Sequence, residues 1–70
     1  MYGVELYLGS AFTGDTTYFP LFENIETAIS AVCEKIGHGA VVDRMNAEYA
    51  IVYEDERTEW HISKLRQLMY

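Results

Sequence analysis

Cysteine is nearly missing from this sequence, Cys33 being the only one. No intramolecular disulfide can form, and a single sulfur argues against a thiolate metal site. A lone thiol at a core-type position suits a reducing compartment and reads as a small buried residue. Proline is as scarce. Pro20 stands alone, so only one point of the chain is barred from donating to a strand ladder. Basic side chains are outnumbered, five against eleven acids, and the net charge is −6. That balance repels nucleic-acid backbone and anionic membrane and favours a basic partner, or else serves solubility alone. No run approaches the ~20 apolar residues that span a bilayer. The first residues lack the basic segment and apolar run of a signal peptide. The chain therefore reads as a soluble cytoplasmic protein without direct nucleic-acid or membrane contact. Repeats, low-complexity segments and linkers are absent too. Its length allows one domain with a small core, of net stability ~3–5 kcal/mol.

What the sequence does have is aromatic bulk, with six Tyr, three Phe and one Trp. It also has one strong helical pattern. Ile25, Ala28, Ile29, Val32, Cys33 and Ile36 recur at i, i+3, i+4, i+7, i+8 and i+11, one stripe of an amphipathic helix. Asn24 can cap its start and Gly37 can end it.

The remainder reads as strand and turn. Tyr2, Val4, Leu6 and Leu8 alternate with Gly3, Glu5, Tyr7 and Gly9, which predicts a first strand over residues 2–12. A turn at residues 13–16 precedes a second strand over 17–22, placed at an edge or ended by Pro20. Strands three, four and five are predicted over 40–45, 49–53 and 58 to about 65. Strand four is apolar on both faces and suits an interior position. Trp60 and Ile62 face one side of strand five, with Glu59, His61 and Ser63 on the other. Residues 66–70 either extend that strand or stay loose. The order β-β-α-β-β-β describes an α+β fold, one helix on one face of a roughly five-stranded antiparallel sheet. The other face must then meet solvent, a partner or a second copy, since one helix cannot cover both.

Residue patterns for catalysis are thin. Cys33 points inward and has no nearby base. His38 lies in a Gly-flanked turn and reads as solvated. His61 and Glu59 share a strand face ~6.6–6.8 Å apart, too far for a direct orienting hydrogen bond without a bend. Ser10, Ser30 and Ser63 sit in no nucleophile elbow, and Gly3, Gly9 and Gly14 form no phosphate loop. No spacing brings His38, His61 and a carboxylate together as metal ligands. The expectation is a non-enzymatic protein without cofactor or metal.

Acids concentrate instead in the last hairpin. Glu54, Asp55, Glu56 and Glu59 lie there, with Asp43 and Glu48 on or beside neighbouring strands. Such rows either imitate the spaced charge of a nucleic-acid backbone or simply blunt the sheet against aggregation. As a partner-binding set we single out Glu54, Asp55, Glu56 and Glu59 for charge, with Tyr53 and Tyr49 for packing area. Reversing Glu54, Asp55 and Glu56 to Lys is expected to spare the fold and remove binding. An alternative occupant of the open face is a second copy, giving a homodimeric regulatory module.

His38-Gly39 leading into a strand with Val41 and Arg44, Tyr53-Glu54-Asp55, and the later Trp60 together resemble a small type I-F anti-CRISPR family of phages and mobile elements. The layout matches over most of the chain. The resemblance implies a helix on a five-stranded antiparallel sheet. It also implies an inhibitor that binds an RNA-guided surveillance complex and blocks hybridisation of target DNA. The family's contact surface is basic and polar whereas this chain is acidic, so none of its contact residues is carried over.

Overall fold

A computed structural model describes residues 1–9, 11–13 and 18–65. It contains one helix, α1 (Ile25–Ile36), and five strands: β1 (Tyr2–Leu8), β2 (Ala11–Phe12), β3 (Val41–Asn46), β4 (Tyr49–Tyr53) and β5 (Thr58–Lys64). The strands form one antiparallel sheet in the order β2-β1-β5-β4-β3. The helix lies over β1, β4 and β5.

The helix forms where the apolar stripe predicts it. Asn24 is extended, and its side-chain oxygen accepts from the Thr27 N–H at 2.8 Å and from the Thr27 hydroxyl at 2.7 Å. That satisfies a first-turn donor that would otherwise lack a partner. Gly37 stops the helix at φ +82°, a conformation costly for any residue with a Cβ, while its N–H returns to the Cys33 carbonyl at 2.9 Å. Ile25, Ala28 and Val32 are buried beneath the helix against Val4 and Leu6 of β1, Ala50 and Val52 of β4, and Trp60 and Ile62 of β5. Ile29, Cys33 and Ile36 pack beside them, partly buried.

Beyond the helix, aromatic rings close one end of this core. Tyr18 and Phe19 meet Trp60 edge-on, with ring centroids 5.4 and 5.5 Å away. The Trp60 indole N–H then donates to a Glu54 carboxylate oxygen at 3.0 Å. A buried indole without that acceptor would cost ~1–3 kcal/mol.

Two expectations about the early strands are corrected. The first strand does not continue to Phe12: it ends at Leu8, and Gly9 at φ +60° starts a reversal into β2. Glycine allows that positive φ, while its place in the alternation made it look like one more outward residue. The second strand expected over 17–22 is not found in its described part, 18–22. Pro20 offers no N–H, and only Phe22 bridges to Tyr2 through two backbone hydrogen bonds. Edge position passes instead to the two-residue β2. Strand four occupies the predicted residues and lies inside the sheet, between β5 and β3. The turn expected at 13–16 is described only at Thr13, and the tail 66–70 lies outside the described residues.

Ile62 has no exposed surface and sits where β1, β4, β5 and the helix meet. Truncating a buried Ile to Ala costs ~2–5 kcal/mol, comparable with the whole stability of so short a chain. Ile62→Ala should therefore be largely unfolded in water by circular dichroism. Ile62→Val should fold, with its urea midpoint lowered by only ~0.5–1.5 kcal/mol of stability.

Candidate functional site: the open face of the sheet

Strand register assigns the side opposite the helix residue by residue. Directly paired residues on antiparallel strands point the same way, so the cross-strand partners form rows. One row runs Phe12, Tyr7, Glu59, Tyr53, Val41; the next Glu5, His61, Ile51, Asp43; the third Gly3, Ser63, Tyr49, Asn46. Three of the residues singled out from sequence, Tyr49, Tyr53 and Glu59, lie on this face. Glu54, Asp55 and Glu56 lie in the β4–β5 loop at its end.

His61 holds the centre. Its ring stacks on Tyr7 with centroids 3.8 Å apart. Nδ1 is bonded to the Tyr49 hydroxyl, and Nε2 lies 3.0 Å from a Glu59 carboxylate oxygen. The expectation that His61 and Glu59 stand too far apart is thus overturned. Their backbones are separated by the strand rise, but both side chains are long enough to lean together along the strand. In neutral His61, both contacts are satisfied if Nε2–H donates to Glu59 and Nδ1 accepts from the Tyr49 O–H. The imidazolium would donate to both. This network covers Ile51, which is buried although no helix lies above it.

The Tyr49 phenol is held in its protonated form. Burial pushes its pKa above the ordinary 10.0, and the neighbouring Tyr7, Glu5, Glu59 and Tyr53 raise it further. A phenol so placed is a hydrogen-bond donor at neutral pH and not a nucleophile. Among the described residues, no three His, Cys, Asp or Glu side chains are grouped to hold a metal ion.

The loop acids are not equivalent. Glu54 accepts from the buried Trp60, as above. Asp55 accepts from the Arg57 and Thr58 N–H groups, each at 2.8 Å, and so closes the hairpin turn. The Arg57 N–H is the main reason the Asp55 carboxyl lies below the ordinary carboxylate range, with Thr58 adding to it. Reversing all three loop acids therefore also removes turn and core contacts, so it is no clean test of charge. Glu56 alone of the three has no hydrogen bond or ion pair among the described residues. Sequence reasoning did not place Glu5, Tyr7, Phe12 or His61 at the site, and for strand four it left open whether Tyr49, Ile51 and Tyr53 or Ala50 and Val52 face outward. The alternation of the first and last strands carried the facing of Glu5, Tyr7 and His61, while Phe12 reaches this face only through the reversal at Gly9, and the assembly depends on β1 pairing with β5.

Charge on this face has one sign. Glu5, Glu59 and Asp43 stand in its rows, which contain no Lys or Arg. Strand spacing spreads Glu5 and Asp43 on the order of 14 Å across the sheet. Arg44 and Lys64 are spent elsewhere, paired to Glu26 at 3.1 Å and to Glu48 at 3.0 Å. No helix among the described residues is long and apolar enough to cross a membrane. No protein-family model matches this chain, and neither does any curated protein or solved structure.

The raised Tyr49 pKa makes a pH prediction. The folded chain holds this proton more tightly than the unfolded chain, so the contribution is fully present below pH ~10 and is lost as pH rises beyond it. Urea midpoints measured from pH 9 to pH 11 should fall more steeply for the native chain than for Tyr49→Phe. Parallel curves would remove Tyr49 from the alkaline transition.

Proposed function

We propose that this chain acts by binding and not by catalysis, as an acidic inhibitor that presents its open sheet face to a basic nucleic-acid-binding protein or ribonucleoprotein. The observation that carries the reading is the make-up of that face. It combines Tyr7, Phe12, Tyr49, Ile51 and Tyr53 with the carboxylates of Glu5, Asp43 and Glu59, and no cation stands in its rows. Aromatic area of this kind supplies contact energy at interfaces, and charge of one sign selects the partner and speeds encounter. A channel built for a nucleic-acid backbone has the opposite charge. The resemblance to type I-F anti-CRISPR proteins supports an RNA-guided surveillance complex as the target, with target DNA as the displaced ligand.

The same aromatic residues favour a homodimeric module as the second reading. Two copies meeting face to face would bring Glu5, Asp43 and Glu59 of each against those of the other, in chains each of net charge −6. Repulsion of that kind weighs against self-association, most of all at low salt.

The test uses a purified type I-F surveillance complex and a labelled target duplex. Excess chain should abolish hybridisation, and the concentration needed should rise with salt. Asp43→Lys with Glu56→Lys changes two acids that have no hydrogen bond or ion pair among the described residues. The double variant should keep its thermal midpoint and require roughly tenfold more protein, as losing two charge contacts of ~0.5–1 kcal/mol each implies. Normal hybridisation at saturating native chain would overturn the CRISPR target. Undiminished inhibition by the double variant would overturn the acidic face as its means.

A further inference from the structure

The two edges of the sheet are unequal. β2 has two residues and gives an incoming strand little to pair with. β3 has six, and every one of them is exposed. Its inner side pairs with β4. Its outer backbone N–H and C=O groups have no backbone partner among the described residues, since no backbone hydrogen bond from outside the sheet reaches residues 41–46. An edge left open in this way is a template for another strand.

The side chains along β3 say which strand would fit. Val41 and Asp43 point to the open face, while Val42 and Arg44 point to the helix side. Arg44 is already neutralised by Glu26. Asp43 has no hydrogen bond or ion pair among the described residues, so the unbalanced charge at this edge is negative. Between Arg44 and Asn46 the register shifts at a bulge, which bends the edge away and confines regular pairing to residues 41–44. A second copy fits poorly. The antiparallel two-fold registers that pair most of β3 set Asp43 opposite Asp43 or Arg44 opposite Arg44, and like charges directly opposite are destabilising.

We infer that β3 accepts an extended basic segment of the partner as a sixth strand, with a Lys or Arg opposite Asp43 and apolar residues beside Val42. The inference rests on the basic-partner reading above and adds how that partner is held. Main-chain hydrogen bonds supply affinity, and alternate side chains supply selectivity. The occupied edge is continuous with the acidic aromatic face, so one partner can use both.

The probe is the peptide acetyl-Thr-Lys-Val-Lys-Val-Thr-amide, titrated into the isotope-labelled full chain and followed by amide NMR. The control replaces both Val with Pro, which keeps the charge and removes strand-forming donors. The expected result is shifts centred on residues 41–44, slowed exchange of their outward amides, loss of both effects with the Pro control, and roughly fivefold to tenfold weaker binding by Asp43→Lys. A salt-dependent footprint on Tyr49, Ile51 and His61 with unchanged β3 amides would overturn strand addition and leave the open-face reading standing. No binding at millimolar peptide, or equal binding of the Pro control, would overturn it as well. The same β3 shifts produced by raising protein concentration alone would assign the edge to a second copy and overturn the basic strand.

Discussion

A single twelve-residue helix must cover a five-stranded sheet, and it has apolar surface for only part of one face. Everything else follows from that shortage. The helix takes β1, β4 and β5, where Val4, Leu6, Ala50, Val52, Trp60 and Ile62 can be buried together. The end it does not reach is closed by Tyr18 and Phe19 around Trp60. The indole N–H then needs an acceptor, and Glu54 reaches back from the hairpin to supply it. The edge strand β3 meets the helix through the Arg44–Glu26 pair but stays exposed along its length, and the opposite face receives no helix at all.

The uncovered face keeps its order through its own side chains. Ile51 would be wet on a bare sheet, yet Tyr49, Tyr53 and the His61 ring lie around it. His61 could not occupy that centre with unpaired nitrogens, because a half-buried polar ring left unsatisfied costs free energy. Tyr49 and Glu59 meet both nitrogens, and Tyr7 stacks on the ring. The result is an aromatic surface in which the Tyr7, Tyr49 and His61 rings hold one another in place. Its carboxylates, with no cation in the same rows, give it charge of one sign.

Much of this was legible in the sequence. The apolar stripe from Ile25 to Ile36, the Asn24 cap and the Gly37 stop are local, and the helix lies where they place it. The alternation in β1 and β5 likewise carried the facing of Val4 and Ile62, whereas β4, apolar on both faces, left that of Tyr49 open. Two things were hidden because their causes are not local. Gly9 reads as one outward residue in an alternating strand, and only its positive φ reveals a reversal. The β3 sequence Val-Val-Asp-Arg-Met-Asn looks half-buried by composition. Its exposure comes from the sheet order, which sets it beyond the helix. The His61 network was hidden in another way, since strand rise measures backbone spacing and says nothing of two long side chains leaning together.

If charge keeps the bare face open for a basic partner, a second copy does not close it. Sedimentation equilibrium of the free chain tests it most directly, run from micromolar to near-millimolar concentration at low salt and neutral pH. A self-repelling face should leave the monomer mass of 8.1 kDa throughout. A mass twice that, reached with a concentration-dependent midpoint and lost in Tyr49→Lys, would contradict it.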